Sequence, residues 1–171
     1  MRYRMNSLNR KEEGFVLVTT LIFLLVLSII SVTTYIQVTN STRSIGISRA
    51  KAMASSYNLD TLAQLEQQYQ AGAGSLKVNK KPEMPTDEQI GKIVKEYRKS
   101  GKYDESGGKF TKFTSSDGNE SVATYYYVEQ LNSENVGKDI KLGPKQFLYR
   151  TVIITFYQGT VDVLESAYVW G

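Results

Sequence analysis

From Phe15 to Thr42 no side chain is charged, and the densest part of that stretch, Phe15 to Val32, is apolar at nearly every position. As a helix this part covers roughly 27 Å, close to the hydrocarbon thickness of a bilayer. Beyond it the pattern changes without a break. The segment "SVTTYIQVTNSTRSIGISRAKAMASSYNLDTLAQLEQQYQ" holds no proline, and Ile47, Ala50, Ala54, Tyr57, Leu62, Leu65 and Tyr69 fall within one arc of a 3.6-residue helix. The spacing predicts a single helix from about Phe15 to about Tyr69, on the order of 80 Å long. Its first half suits lipid, its second half suits packing on a domain, and Gly72 and Gly74 are expected to end it. Gly46 and the cluster Val32, Thr33 and Thr34 are its weak points, where backbone entropy and β-branching lower helix propensity.

After the helix, "AGAGSLKVNKKPEMP" reads as a linker or surface loop, glycine-rich and punctuated by Pro82 and Pro85. A short helix follows. Thr86 and Gln89 stand at capping-box spacing, Asp87 and Glu88 suit the positive helix end, and Ile90, Ile93, Val94 and Tyr97 line one face before Gly101. The rest is strand-like: "KFTKFT" and "SVATYYYVEQL" flank a turn at Asp117-Gly118, and "KQFLYRTVIITFY" and "TVDVLESAYVW" are joined through Gln158-Gly159. Along the last strand the odd positions Val161 to Val169 and the even positions Asp162 to Trp170 are about equally mixed, so the pattern names no buried side. The expected fold is α+β: a long N-terminal helix against a small antiparallel sheet of about four strands.

Composition narrows the chemistry. Across 171 residues there is no cysteine and no histidine, which removes thiolate metal sites, thiol nucleophiles and the commonest general base and transition-metal ligand. No serine has an identifiable base, so no catalytic residue, cofactor or metal is expected, and the reading is non-enzymatic. The net charge is only +4, and part of it lies in the first 14 residues, where Arg2, Arg4, Arg10 and Lys11 face Glu12 and Glu13. The basic residues Lys77, Lys80, Lys81, Lys92, Lys95, Arg98, Lys99 and Lys102 are interspersed with Asp87, Glu88, Glu96, Asp104 and Glu105, the mixture of a solvated surface. Contact with nucleic acid is a minor option. "SSDGNES" lacks the alternating acidic ligands of a calcium loop. Tyr125, Tyr126 and Tyr127 alternate across a strand and are expected to pack, with surface adhesion open to whichever side is exposed.

A basic N-terminus before an apolar helix describes any signal anchor, but it does not account for the border in "KEEGFVLVTTLIFLLVL". Charges stop at Gly14 and the apolar run opens at Phe15. This border resembles the processing region of type IV prepilins, with a hydrophilic leader, glycine at its last position and phenylalanine opening the mature chain. The resemblance implies cleavage by a prepilin peptidase after Gly14 on the cytoplasmic side and methylation of the new N-terminus at Phe15. Glycine suits such a cut because its backbone can enter a tight active site in extended form. The chain departs from most pilins at the fifth mature position, where Thr19 stands in place of a glutamate. A carboxylate there would cost about 2.5–3.5 kcal/mol on insertion scales, whereas a threonine can hydrogen-bond its own helix.

Two C-terminal blocks, "YYYVEQL" and "YRTVIITFYQGTVDVLESAYV", are similar to the strands of PilX-type minor pilins, although that group often carries C-terminal cysteines that this chain lacks. The tip pseudopilins of the GspK kind also depart from the glutamate, but they hold a larger helical insertion than this length allows. The resemblance divides the chain into a leader, 1–14, a membrane and assembly half-helix, 15–42, and an extracytoplasmic pilin domain, 43–171. It implies a minor pilin or pseudopilin, held in the cytoplasmic membrane with its N-terminus inside and then drawn into an extracellular filament. Its partners would be other major and minor pilins through the N-terminal helix, the peptidase and the inner-membrane assembly platform. The alternative is a single-pass anchored protein with a small extracellular binding or adhesive domain.

Overall fold

The computed structural model describes residues 8–71, 77–81, 83–103, 109–114, 121–137 and 140–171, with the backbone alone for 8–13. The element order is α1 (Leu8–Gln70), α2 (Asp87–Ser100), β1 (Thr111–Phe113), β2 (Val122–Leu131), β3 (Phe147–Tyr157) and β4 (Thr160–Trp170). The strands form one antiparallel sheet in the order β1-β2-β3-β4, so the fold is α+β with one long N-terminal helix. The chain separates into two units, Met1–Gly46 and Ile47–Gly171. The expected helix is present but begins at Leu8 instead of Phe15, so Gly14 lies inside regular helix. Its expected end at Gly72 and Gly74 and the turn at Asp117-Gly118 lie outside the described residues.

In the second unit, α1 packs on the sheet through Ala50, Ala54, Asn58, Thr61, Leu65 and Tyr69, spaced by three or four residues and each buried. This corrects the predicted arc. Ile47 is exposed, Tyr57 and Leu62 are half-buried, and two polar residues occupy the stripe. Asn58 is tolerated because its amide is satisfied on both sides: Nδ2 donates to Asp162 Oδ2 at 2.8 Å, and Oδ1 accepts from Thr155 Oγ1 at 2.7 Å. Further along, the Tyr69 ring stacks on Tyr149 at 4.4 Å and its hydroxyl meets Thr151 Oγ1 at 2.9 Å. Leu65, Tyr69, Tyr126, Val128, Tyr149 and Ile153 form the core on this face.

The opposite face carries a second core: Ile90 and Ile93 of α2 with Phe110, Tyr125, Tyr127, Val152, Ile154 and Phe156. β2 and β3 are therefore covered on both sides, which is why their sequences run apolar and aromatic without alternation. α2 forms as its sequence predicts. Gln89 N–H donates to Thr86 Oγ1, Thr86 N–H donates to Gln89 Oε1, and Gly101 closes the helix at φ 70°. β3 and β4 meet in a two-residue turn with positive φ at both Gln158 (45°) and Gly159 (77°), the geometry whose twist matches a hairpin.

β4 settles the side that its pattern left open. The even positions Asp162, Leu164, Ser166 and Tyr168 are half-buried toward α1, and the odd positions Val163, Glu165, Ala167 and Val169 are exposed. The expected linker is partly structured: Asn79 forms a parallel bridge to Glu129, donating N–H to Val128 O at 2.9 Å and accepting from Gln130 N–H at 2.9 Å.

Candidate assembly helix and buried ion pair

Residues Gly14, Phe15 and Thr19 all lie on α1. Phe15 is 73% exposed, and the large apolar side chains after it, from Val16 to Val38, are exposed as well. The helix is long and apolar enough to cross a membrane by length and composition. Its polar residues are compatible with that. Thr19 Oγ1 donates to the Phe15 carbonyl at 2.9 Å, one turn back along the helix. From Thr19 through Thr39 every serine and threonine hydroxyl donates to a carbonyl three or four residues back: Thr20, Ser28, Ser31, Thr33, Thr34 and Thr39 repeat the same bond at 2.8–3.0 Å. In lipid an unsatisfied hydroxyl costs several kcal/mol, and here the helix answers its own donors.

At Gly14 an added Cβ would meet nothing within 4 Å, so the glycine does not serve close packing among the described residues. It lies in helix, where glycine makes local unwinding easier by about 1 kcal/mol relative to alanine.

Among the described residues, no group of three or more His, Cys, Asp or Glu side chains comes together. One cleft of about 230 Å³ at Tyr97, Arg98, Phe156 and the β3–β4 turn, and another of about 210 Å³ at Lys77, Asn79, Lys109 and Tyr127, are smaller than ordinary ligand pockets of roughly 300–1,000 Å³. Tyr125, Tyr126 and Tyr127 are all buried, which removes the option of an adhesive tyrosine face. The basic residues of α2 and its flanks are exposed, and Lys92 pairs with Glu88 at 3.0 Å.

The polar feature that sequence reasoning missed is Glu129, fully buried in the middle of β2. Arg150, its cross-strand partner on β3, donates from Nε to Oε1 at 2.8 Å and also through Nη2. The other oxygen, Oε2, accepts Glu83 N–H at 2.9 Å and lies 3.5 Å from the Tyr127 hydroxyl. Tyr127 Oη in turn donates to Glu83 O at 3.0 Å, and burial raises its pKa, with the Asn79 amide opposing the shift. The group pins Asn79 and Glu83 to the sheet. A signal was available in the sequence: a lone acidic residue inside an aromatic and aliphatic strand needs a basic partner in register.

Comparisons with protein-family models, curated proteins and solved structures find no match for this chain.

Proposed function

We propose that this chain is a minor pilin or pseudopilin, a non-enzymatic subunit of a type IV pilus-like filament that acts at initiation of assembly or at the tip. The observation that carries the reading is the border at Gly14 and Phe15: charges end where an exposed apolar helix begins, with no small-residue cleavage site after the apolar run. A segment cut before its apolar part keeps that part, and a kept apolar helix needs either lipid or other helices around it. In this reading it is held in the cytoplasmic membrane and then packs among neighbouring pilin helices. Thr19 offers no charge to a neighbour's N-terminal amine, which suits a subunit with a place at the end of a filament better than one repeated along its shaft.

The second reading, a single-pass anchor carrying a small binding domain, is favoured by the unbroken helix through Gly14, since an anchor needs no structural break there. Mass spectrometry of the native N-terminus separates the two. A methylated Phe15 supports the pilin; an intact Met1 supports the anchor. Gly14→Leu is expected to accumulate as uncleaved precursor in the membrane, and normal maturation of that variant would remove the main ground for the proposal.

A further inference from the structure

Both outer edges of the sheet are unpaired with any other strand among the described residues: β1 at one side and β4, 11 residues long, at the other. Open edges invite pairing, and a folded chain ordinarily guards them. The sheet has four strands with every neighbouring pair antiparallel, so its two edge strands run in opposite directions. Two copies placed side by side with their α1 faces on the same side therefore bring β4 of one against β1 of the next in antiparallel orientation, the pairing this sheet already uses.

We infer that β4 of one copy pairs with β1 of a second copy, in the register that sets Glu165 opposite Lys112. Residues directly opposite share a face, and the faces agree. Lys112 pairs with Tyr125 and Glu165 with Val152, both in the core on the α2 side, whereas Phe113 and Leu164 both pack with the core on the α1 side. In this register Glu165 meets Lys112, Ser166 meets Thr111 and Leu164 meets Phe113. Each is a favourable cross-strand combination: opposite charges, two hydroxyls and two apolar side chains. Lys112 and Glu165 are both exposed, and neither has an ion pair among the described residues. A register moved by two residues puts Lys112 against Val163 or Ala167, and one moved by a single residue reverses the faces. Symmetric pairing of β4 with itself gives Glu165 no counter-charge, because "TVDVLESAYVW" has no basic residue.

The contact is heterologous, so it leaves one β1 and one β4 free and builds a run of copies instead of a closed dimer. Three residue pairs make a weak contact in dilute solution. Copies held by α1 in one membrane meet at a far higher effective concentration, and this holds for an anchor as well as for a filament subunit.

The absence of native cysteine makes the test clean. Full-length chains carrying Thr111→Cys or Ser166→Cys, with different epitope tags, are co-expressed in one membrane and treated with a mild oxidant. The contact predicts a mixed disulfide when both variants are present and none when either is alone. Adding Glu165→Lys to the Ser166→Cys chain should lower the yield about tenfold, and Lys112→Glu in the Thr111→Cys chain should restore it. Apolar helices could bring copies together nonspecifically, but that association would not depend on these charges. No mixed product, equal product from single variants, or a yield indifferent to charge reversal would each overturn the contact and leave Lys112 and Glu165 as edge guards.

Discussion

Replacing Arg150 by methionine should damage the folded unit far more than replacing its partner. Glu129 is fully buried, and Arg150 is its only cationic neighbour among the described ion pairs. Arg150→Met leaves a carboxylate in the core with the uncharged Glu83 N–H as its remaining close donor, since the Tyr127 hydroxyl gives its proton to Glu83 O. Breaking a buried pair by removing one member costs about 3–5 kcal/mol. Glu129→Met is different, because the Arg150 side chain is 35% exposed and its guanidinium can turn to water. What remains is a lost acceptor for Glu83 N–H and a weakened anchor for Glu83, worth about 1–2 kcal/mol. The double variant, with both charges gone and similar volume kept, should resemble Glu129→Met alone, giving a favourable coupling equal to the Arg150→Met loss, roughly 3–5 kcal/mol. The assay is urea unfolding of the full chain in detergent, followed by near-ultraviolet dichroism of the tyrosines, which reports their packing while a micelle-bound helix stays folded. Against a typical domain stability of about 5–15 kcal/mol, Arg150→Met should bring a large fall in midpoint. If Glu129→Met proves the more damaging variant, or the two losses simply add, the buried carboxylate is not held by Arg150 and the argument fails.

Three other outcomes are expected. Burial pushes the Tyr69 pKa up to about 12, against a lowering by its Thr151 hydrogen bond, so the folded state holds this proton more tightly than the unfolded chain. Stability from this group is complete below pH 10 and should fall by roughly 2–3 kcal/mol as pH rises toward 12; Tyr69→Phe should flatten that alkaline decline, and an unchanged slope would contradict it. Gly101→Ala should cost about 1 kcal/mol in the same unfolding assay, because φ of 70° at the end of α2 strains any residue with a Cβ, and a neutral result would mean that this helix end rearranges freely. Thr19→Val removes a hydroxyl that bonds its own helix, so under the proposed pilin function incorporation into filaments should persist largely intact; complete loss, scored by immunoblot of sheared filaments, would count against a place at the filament end.

Much of the fold could be read from local pattern. The apolar run, the capping box at Thr86 and Gln89 and the hairpin at Gln158-Gly159 each depend on a few neighbouring residues, and each formed as expected. Asn58 could not be placed in the helix stripe in that way, since its burial depends on Thr155 and Asp162, about a hundred positions away, supplying partners. Ile47 was misplaced for the converse reason: its spacing fits the stripe, but packing on the sheet begins at Ala50. β4 alternates between mixed sets, and only the position of α1 distinguishes them. The border at Gly14 was legible as a change of composition, yet the backbone passes through it without a break, because a helix can run through charged and apolar residues alike.

The inward-turned hydroxyls of α1 have a consequence for motion. From Thr19 to Thr34 these hydroxyls are already engaged with the helix's own carbonyls, so rotation or axial sliding of that stretch against a neighbour breaks no hydroxyl bond between the two. A glutamate at position 19 would act as a detent, fixing one angular setting; with Thr19 the setting must come from elsewhere on the molecule.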